Sequence, residues 1–280
     1  MAFNIDEYQK ILFPYAYNIL GNAEDAKDII QDTMIKWQNV DHAKVENEKS
    51  YLIRSVINAA INFKDKQKER LSDYPGDWLP EPVHLDTEMD RRHILSYSLL
   101  VLLEQLTAKE RAIFILKESF DFSHAEISKL LNISVENCRQ ILKRSKQRLN
   151  PSITPSAEKN ETKLKLFVEA MINGNAEALQ QMLTNDIKAV SDGGKEVSAI
   201  RKAIFGPKNV RKLLLGIYEK FYKHSNVKIN LAELNHQPAL LYTEGQAIRL
   251  CQVFQFSKTG TIERIYFVRN PEKLKNLTSL

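Results

Sequence analysis

The chain has 280 residues, of which 43% are hydrophobic and 27% are charged, so it is long enough for two or three modest domains with apolar cores. No apolar run approaches the ~20 residues that a membrane-spanning helix needs, and the N-terminal residues lack the pattern of a signal peptide. The sequence therefore predicts a cytoplasmic protein without a membrane partner. Its 2 cysteines and 6 scattered histidines argue against a disulfide framework and a metal site, and no cofactor is predicted.

The charge of the chain is unevenly distributed. Residues 1–150 contain 21 Lys and Arg against 23 Asp and Glu, a net charge of −2, whereas residues 151–280 contain 19 against 12, a net charge of +7. The overall charge of +5 therefore does not by itself predict nucleic-acid binding, and only local clusters of basic residues can support that prediction.

Residues 1–40 predict two helices. The first, residues 6–20, is apolar and aromatic with an interruption at Pro14, and Gly21 ends it. Asn22 is a suitable N-cap for the second helix. One side of the second helix is apolar. The opposite side carries Asp25, Asp28, Gln31, Asp32 and Lys36. This polar side is either solvated surface or a docking site for a basic partner.

Residues 48–70 predict a third helix with a basic C-terminal end. Lys64 and Lys66 lie in that end, and Asn58 and Asn62 are residues of the type that hydrogen-bond unpaired bases. The alternative interpretation is a helix C-terminus whose lysines complement the helix dipole. The next segment, residues 71–88, contains three prolines and one glycine and is predicted to be a linker. Its apolar Trp78 and Leu79 suggest that it docks onto another part of the chain.

The pattern of residues 89–149 is helical again. A helix over 89–106 is followed by a capping box at Thr107, which opens the helix Ala108–Glu118. Ser123 to Leu149 predict two helices around a tight turn, with Asn132 as the left-handed residue that ends the first. The second helix has a basic side with Arg139, Gln140, Lys143 and Arg144. This is the layout of a helix-turn-helix, and the alternative is an ordinary helical hairpin with a solvated basic side.

Residues 158–280 have a different pattern. Asn150-Pro151 and Thr154-Pro155 mark the boundary, after which two helices, a strand at 187–190, a turn at 191–196 and a helix around Asn209–Lys223 are predicted. Alternating residues then predict four strands, at Val227–Leu234, Ala239–Thr243, Gln246–Phe256 and Thr261–Arg269. Helices followed by such a meander indicate an α+β domain with a curved antiparallel sheet.

Two separate segments resemble conserved parts of one family, in the right order. Residues 12–37 and 49–70 resemble region 2 of the sigma factors, in the sequences LFPYAYNILGNAEDAKDIIQDTMIKW and KSYLIRSVINAAINFKDKQKER. Residues 106–149 resemble region 4. The spacing is similar to that of the small extracytoplasmic-function sigma factors. A subgroup with a C-terminal SnoaL-like domain of the NTF2-like fold shares three further motifs: WLPEP (Trp78–Pro82), DGG (Asp192–Gly194) and the Asn270-Pro271 motif.

The resemblance implies a multidomain protein. Two all-α sigma domains, a region 2 helical bundle (1–70) and a region 4 helix-turn-helix domain (93–150), would be joined by a linker (71–92). An α+β NTF2-like cone with a curved antiparallel sheet (158–280) would follow. The implied function is that of a sigma factor, which binds core RNA polymerase and directs initiation at particular promoters.

The resemblance also implies roles for individual residues. The polymerase-binding residues would be Asp25, Asp28, Gln31, Asp32 and Trp37. The −10 promoter element would be contacted by Asn58, Asn62, Lys64 and Lys66. The −35 element would be contacted by Ser134, Arg139, Gln140, Lys143 and Arg144. Regulatory contacts between domains would involve Trp78, Leu79, Pro80, Asp192, Gly193, Gly194, Asn270 and Pro271.

Two alternative functions remain open at this stage. One is a ligand-sensing helix-turn-helix regulator that binds DNA without polymerase. The other is an isomerase-like enzyme, because some NTF2-like relatives use His/Asp or Tyr/Asp pairs. No spacing singles out a catalytic pair among Asp186, Asp192, Tyr222, His224, His236 and Tyr242. We therefore expect no enzyme activity, and an unknown small ligand in the C-terminal pocket stays open.

Overall fold

The computed structural model describes residues 5–70, 73–149, 160–197 and 199–277. These residues divide into two compact units, and each is described by itself. The first unit comprises the described residues of Met1–Ser72, Leu85–Leu95 and Leu99–Ile153. The second comprises those of Asp73–His84, Ser96–Ser98 and Thr154–Leu280. The predicted boundary at Asn150-Pro151 and Thr154-Pro155 lies outside the described residues.

The described residues up to 149 form helices. Their bounds are α1 (Ile5–Leu20), α2 (Ala23–Trp37), α3 (Glu48–Arg70), α4 (Glu88–His93), α5 (Tyr97–Leu103), α6 (Ala108–Glu118), α7 (His124–Leu131) and α8 (Val135–Leu149). Within the first unit, α1, α2 and α3 pack against one another, and α6 packs against α1, α3 and α8.

Helix α1 continues through Pro14, so the predicted interruption was wrong. Pro14 lacks one helical N–H donor, but it is buried among apolar neighbours, and their packing stabilises the helix despite the missing hydrogen bond. Gly21 then ends the helix in a left-handed conformation, with φ of 72°. The Asn22 side chain accepts a hydrogen bond from the Asp25 N–H at 2.9 Å and so caps α2, as predicted.

The single helix predicted over 89–106 is two helices, α4 and α5, because the chain breaks between them. The side chain of Asn18 supplies the hydrogen bonds at the break. Its amide donates to the His93 carbonyl at 2.7 Å, and its carbonyl accepts from the Leu95 N–H at 3.1 Å. A buried polar residue from α1 therefore fixes the end of α4, which local sequence patterns could not indicate.

The predicted caps of the helix-turn-helix are confirmed. Ser123 and Glu126 form a capping box at the start of α7, and Thr107 and Glu110 form another at the start of α6. Asn132 ends α7 in the left-handed conformation, with φ of 50° and ψ of 56°. The Ser134 hydroxyl accepts a hydrogen bond from the Asn137 N–H at 3.1 Å and caps α8.

The C-terminal residues of the second unit form the expected α+β fold. The elements are α9 (Glu161–Ile172), α10 (Ala176–Gln181), β1 (Leu183–Asp192), β2 (Ile204–Phe205), α11 (Pro207–Ile217) with a π-helical turn (Tyr218–Tyr222), β3 (Lys228–Leu234), β4 (Gln237–Glu244), β5 (Ala247–Phe256), β6 (Ile262–Val268) and α12 (Pro271–Leu274). The strands form one sheet in the order β2-β1-β6-β5-β4-β3.

The sheet is antiparallel except where β1 and β6 pair in parallel, with Asp192 opposite Val268. The hairpin between β3 and β4 turns at Asn235 and His236, whose φ values are 47° and 61°. Two consecutive left-handed residues match the right-handed twist of a hairpin. The second of the four strands was predicted to begin at Ala239, but Gln237 and Pro238 already belong to β4.

The apolar core of the second unit fills the concave side of the sheet. Phe167 of α9 meets Phe254 of β5 edge to face at 5.2 Å, and Tyr242 of β4 packs on Tyr222 at 4.8 Å. Each buried side chain of this size contributes roughly 1.5–3 kcal/mol through its removal from water. The result is the NTF2-like cone, in which helices close the open side of a curved sheet.

Candidate functional site

The exposed side of α2 carries the predicted polymerase-binding residues. Asp28, Gln31 and Asp32 are exposed, whereas Asp25 is half-buried and its carboxylate accepts a hydrogen bond from Gln67 at 3.3 Å. Ile35 lies one turn beyond Gln31 and is 53% exposed, although it is a large apolar residue. Ile35 thus adds apolar area to an acidic surface. The sequence analysis missed Ile35, which departs from the apolar spacing of α2.

Trp37 is not part of this surface, which corrects its placement among the interface residues. Its side chain is 2% exposed and packs between the rings of Tyr51, at 5.1 Å, and His42, at 4.3 Å. Removal of the large indole ring from water stabilises the folded state. Trp37 therefore holds the end of α2 against α3.

The exposed side of α3 carries most of the predicted −10 residues. Asn62 and Lys66 are exposed and Asn58 is half-buried. The three lie four residues apart, so they follow one side of the helix. Two amides and one cation on one side of a helix can hydrogen-bond base edges and bind phosphate.

Lys64 lies on the other side of α3, so its placement among the DNA-contacting residues is wrong for this conformation. Its Nζ donates to the Leu20 carbonyl at 2.9 Å and forms an ion pair with Glu104 at 2.9 Å. Only 11% of the Lys64 side chain is exposed. The helical period places residue 64 with Ile57 and Ala60, which are buried, and not with Asn62 and Lys66.

Glu104 joins Lys64 to a buried arginine. The guanidinium of Arg111 is fully buried, forms an ion pair with Glu104 and donates to the Asn18 carbonyl at 2.8 Å. Burial alone would raise the pKa of Glu104, but the charges of Arg111 and Lys64 outweigh it and lower that pKa below its ordinary value. This buried ion-pair network connects α3 with the residues around α6, and the sequence analysis missed it.

The exposed side of α8 carries the predicted −35 residues. Arg139, Gln140, Lys143 and Arg144 are all exposed. Arg139 and Gln140 contact Glu136, at 3.8 Å and 3.3 Å, whereas Lys143 and Arg144 form no ion pair with any described residue. Ser134 is exposed at the N-terminus of the helix, where it serves as the cap.

The remaining basic residues of α8 hold the helix in place. Lys146 forms an ion pair with Glu118 at 2.7 Å, and Arg148 forms one with Glu110 at 2.8 Å. Both carboxylates belong to α6, which also packs against the buried side of α8. Helix α8 is therefore fixed on α6 with its four predicted base-contacting residues directed to solvent, as a recognition helix requires.

The second unit contains a buried carboxylate that holds the linker. One oxygen of Asp192 accepts from the Leu79 N–H at 2.9 Å and from Lys273 Nζ at 2.6 Å. The other accepts from the Tyr74 hydroxyl at 2.5 Å and from the Gly194 N–H at 2.9 Å. Burial and the hydrogen bond to Asp192 raise the pKa of Tyr74. We call Asp192, Lys273, Tyr74, Leu79 and Asn270 the linker clamp.

Lys273 completes the clamp. Its Nζ also donates to the Leu79 carbonyl and lies 4.0 Å from the centroid of the Trp78 ring. The cation therefore has a carboxylate, a carbonyl and an aromatic face around it, although its side chain is only 3% exposed. Trp78 and Leu79 were predicted to dock. Leu79 belongs to the clamp, and the Trp78 ring packs on its Lys273.

Both glycines of the DGG motif are required by the geometry. A Cβ at Gly193 would lie 2.2 Å from the Val197 carbonyl oxygen, so no side chain fits. Gly194 has φ of +65°, and a Cβ there would lie 2.7 Å from the side chain of Asn270. The turn after β1 can therefore bring its N–H to Asp192 only with glycine at both positions.

The asparagine-proline motif supports the clamp from the other end of the chain. Asn270 donates to the Tyr74 hydroxyl at 3.1 Å, and its carbonyl accepts from the Glu272 N–H at 3.1 Å. Asn270 thereby caps α12, and Pro271 occupies the first turn of that helix. The short helix α12 then places Lys273 against Asp192.

The rest of the linker is held by hydrogen bonds within the second unit. The Pro80 carbonyl accepts from the Tyr97 hydroxyl at 2.7 Å. Asn235 pairs with the backbone of Val83 in both directions, at 2.9 Å and 3.1 Å. Pro80 is buried, and the fully buried Glu81 accepts from Asn276 at 2.9 Å. No local sequence pattern identified Tyr74, Tyr97, Asn235 or Lys273 as contacts of the linker.

The six side chains considered for acid–base catalysis form no His/Asp or Tyr/Asp pair with one another. Asp192 is taken up by the clamp, His236 lies in the β3–β4 turn, and Asp186 and His224 are exposed. The Tyr242 hydroxyl donates to Gln252 at 3.1 Å, and burial raises the pKa of Tyr242 far above its ordinary value. A phenol held neutral in an apolar core is a poor general base.

Known proteins share both parts of the fold. A family model described as Sigma-70 region 2 matches residues 5–70, and another described as Sigma-70, region 4 matches residues 96–149. No described helix has the length and apolar character to cross a membrane.

Similar curated proteins come from Mycobacterium tuberculosis. "ECF RNA polymerase sigma factor SigJ" is 26% identical over 223 residues, which cover 75% of this chain and 70% of the relative. "Probable ECF RNA polymerase sigma factor SigI" is 22% identical over 281 residues, which cover 96% and 93%. The crystal structure of SigJ matches with a TM-score of 0.75 at 20% identity and covers 97% of this chain and 98% of SigJ. The shared fold thus extends through the C-terminal domain.

Proposed function

Because the chain belongs to the extracytoplasmic-function sigma factors, we propose that its NTF2-like domain regulates initiation in cis by holding the linker between region 2 and region 4. Sigma factors of this family bind core RNA polymerase and direct promoter-specific initiation, and they catalyse no reaction themselves. Beyond this function of the family, we propose how the C-terminal domain regulates initiation and which residues bind polymerase and promoter DNA.

The linker clamp is the observation that supports regulation in cis. Residues Tyr74 to Leu79 follow region 2 directly, and they bind Asp192 and Lys273 of the C-terminal domain through buried charged groups. A linker held in this way cannot extend freely. The clamp therefore limits the separation that region 2 and region 4 can reach, and its release would increase that separation.

Polymerase binding is assigned to the exposed side of α2. Asp28, Gln31 and Asp32 would pair with basic residues of the polymerase, and Ile35 would supply an apolar contact at the same surface. Charged residues around one exposed apolar side chain are a common arrangement at protein interfaces. Asp25 and Trp37 would support this surface from behind.

DNA contacts are assigned to two helices. Asn58, Asn62 and Lys66 of α3 would contact the −10 element as it opens. Arg139, Gln140, Lys143 and Arg144 of α8 would contact the −35 element in the major groove, with Ser134 near the backbone at the helix N-terminus. Arginine and glutamine hydrogen-bond base edges, and the lysines mainly bind phosphate. A small ligand of the C-terminal domain stays a prediction.

Run-off transcription with purified core polymerase tests the proposal. Full-length protein would be compared with a chain that ends near Thr154, on a template from the protein's own upstream region. Transcripts that depend on the added protein are expected from the full-length chain, and a different yield from the shorter chain would give the sign of the regulation. If neither chain binds polymerase, a regulator that acts on DNA alone becomes the better hypothesis.

The linker itself is tested by Trp78→Ala with Leu79→Ala, made in both chains. We expect the double substitution to change the activity of the full-length protein and to have little effect in the shorter chain, because the clamp exists only when the C-terminal domain is present. An equal effect in both chains would contradict regulation through the linker.

A further inference from the structure

The described part of the chain carries a concentrated basic surface on the segment that precedes β3. Residues 201–223 contain seven Lys and Arg and a single acidic residue, Glu219. This segment includes α11. Its seven basic residues and one acidic residue give a net charge of +6, which is most of the +7 of residues 151–280. We call its exposed cations the α11 surface. They are Arg201, Lys202, Lys208, Lys212, Lys220 and Lys223.

Most of these charges are not used to stabilise the fold. Lys208, Lys212 and Lys220 form no ion pair with another described residue, whereas Lys223 pairs with Glu219 at 2.8 Å. The fold needs only the other side of α11, where Val210 and Leu214 are buried. Like charges so close together repel one another, and a bound polyanion would relieve that repulsion.

Two exposed aromatic rings lie in the same surface. Phe205 is 59% exposed and Phe221 is 49% exposed. Both line one groove of about 760 Å³ whose rim includes Lys212 and Lys220. Lys188 lies 5.6 Å from the Phe205 ring centroid, and Lys220 lies 5.2 Å from that of Phe221. Exposure of large aromatic rings to water is unfavourable in free energy. Two such rings in one groove therefore indicate a ligand that covers them.

We propose that the α11 surface binds single-stranded nucleic acid. Such binding sites combine a basic groove that follows the backbone with aromatic rings on which unpaired bases stack. Duplex DNA would use the cations but would leave the two phenylalanines without bases to stack on. Helix α11 and its π-helical turn run from Pro207 to Tyr222 and are about 22 Å long at 1.5 Å per residue, which is about the length of six stacked nucleotides.

The proposal does not depend on the regulation of transcription and is tested without polymerase. Full-length protein is titrated into a fluorescein-labelled 12-residue oligothymidylate, and anisotropy is measured over a series of salt concentrations. Lys208→Ala, Lys212→Ala and Lys220→Ala are combined in one variant. The matched control combines Lys165→Ala, Lys228→Ala and Lys258→Ala, which remove the same charge from exposed positions elsewhere in the domain. The DNA-contacting helices of the first unit are unchanged in both variants.

We expect the α11 variant to bind the oligonucleotide at least tenfold more weakly at low salt. The slope of log K against log salt should fall by about 2, since each lost phosphate contact on a single strand contributes about 0.7. The control should keep the slope of the wild type. Equal slopes in the two variants would overturn the proposal.

The two rings are tested by Phe205→Ala with Phe221→Ala, with Leu166→Ala as the control for loss of an exposed apolar side chain. We expect the ring variant to bind the oligonucleotide at least fivefold more weakly while its affinity for a duplex of equal length is unchanged. Equal loss for both forms of DNA, or no loss, would overturn single-strand binding. Displacement of the oligonucleotide by an oligoglutamate peptide at equal charge would instead indicate an acidic protein partner.

Discussion

Asp192 connects three distant parts of the chain through one carboxylate. It binds Tyr74 and Leu79 of the linker, the glycine turn that follows β1, and Lys273 near the C-terminus. The ion pair with Lys273 is buried on both sides, with 3% and 0% of the two side chains exposed. Removal of one partner from such a pair leaves the other charge in an apolar environment without compensation.

We therefore expect Asp192→Asn to lower the free energy of unfolding of the second unit by about 3–5 kcal/mol. The measurement is urea unfolding followed by the fluorescence of Trp78, with Trp37 replaced by Phe in all samples. Asp186→Asn, at an exposed position on the same strand, is the control and should change stability by less than about 0.5 kcal/mol. Similar small changes for both substitutions would show that the carboxylate charge contributes little.

Glu104 is a carboxylate in the buried ion-pair network of the first unit, as Asp192 is in the second unit. Its lowered pKa affects the stability of the first unit in acid. The pKa in the folded state lies below the ordinary value of 4.5 because Arg111 and Lys64 stabilise the carboxylate against the cost of burial. A lowered folded pKa gives stability that is fully present above about pH 4.5 and is lost as pH falls through the lowered value.

We expect Glu104→Gln to be less stable than the wild type at pH 7 and to lose less further stability between pH 5 and pH 3. Thermal unfolding at a series of pH values measures both effects. Glu46→Gln, at an exposed position, should follow the wild-type pH dependence. If Glu104→Gln lost as much stability in acid as the wild type, another carboxylate would be responsible for the acid sensitivity.

Helices α2 and α8 show how charge is distributed within an element. Each buries an apolar side against a neighbour and leaves a polar, charged side exposed. The sequence could predict this, because a period of 3.6 residues separates the two sides. The same period could also have shown that Lys64 lies with Ile57 and Ala60 on the buried side of α3, whereas we grouped it with its basic neighbours.

The exposed side of α2 predicts a specific loss of polymerase binding. Asp28→Lys with Asp32→Lys should weaken binding to core polymerase at least tenfold, because two attractive charges become repulsive. Glu46→Lys with Asp65→Lys makes the same change in charge at exposed positions outside α2 and should bind like the wild type. Binding is measured by surface plasmon resonance without DNA. Equal losses would indicate a response to net charge only.

The exposed side of α8 predicts a loss of sequence preference. Arg139→Ala should reduce discrimination at the −35 element by about 1–3 kcal/mol and leave polymerase binding unchanged. Lys109→Ala, at an exposed position on α6, serves as the control. A scan of −35 sequences by run-off transcription gives the preference. An unchanged preference in the Arg139→Ala variant would contradict a role in base contact.

The linker clamp could be predicted only in part from the sequence. Trp78 and Leu79 were recognisable because apolar residues are unexpected in a flexible linker. Their partners were not, since Tyr74 and Asp192 are 118 residues apart and Asp192 and Lys273 are 81 apart. Contacts of such separation leave no periodic pattern. The local sequence around a buried lysine such as Lys273 also does not distinguish it from an exposed lysine.

At the scale of the whole molecule, region 2 and region 4 contact each other directly in the first unit. Lys64 of α3 reaches Glu104, and Tyr15 of α1 stacks on Phe120 at 3.8 Å. The −10 and −35 elements are about 25 base pairs apart, which is about 85 Å of duplex at 3.4 Å per base pair. With the DNA contacts proposed for α3 and α8, the two regions have to separate before both elements can be bound.

A cross-link between the two regions tests this requirement. Lys64→Cys with Glu104→Cys, joined by a short bismaleimide, should abolish the run-off transcription that the same variant shows without cross-linker. The variant is compared only with itself, because the loss of Glu104 leaves Arg111 without its ion pair and lowers stability. The native Cys138 and Cys251 are buried and should react slowly. Ser50→Cys with Arg54→Cys, at exposed positions one turn apart on α3, is cross-linked as the control for the chemistry. Full activity of the cross-linked protein would show that the contact is compatible with promoter binding.

The clamp has one more consequence, because its two halves belong to the same polypeptide. A separate regulatory protein dissociates on dilution and is present in variable amounts, whereas a tethered domain keeps a local concentration in the millimolar range whatever the amount of protein in the cell. The balance between the held and the released linker is then a property of each molecule. Because coupling is reciprocal, any partner that favours the released linker must bind less tightly while the clamp is intact, by the same factor.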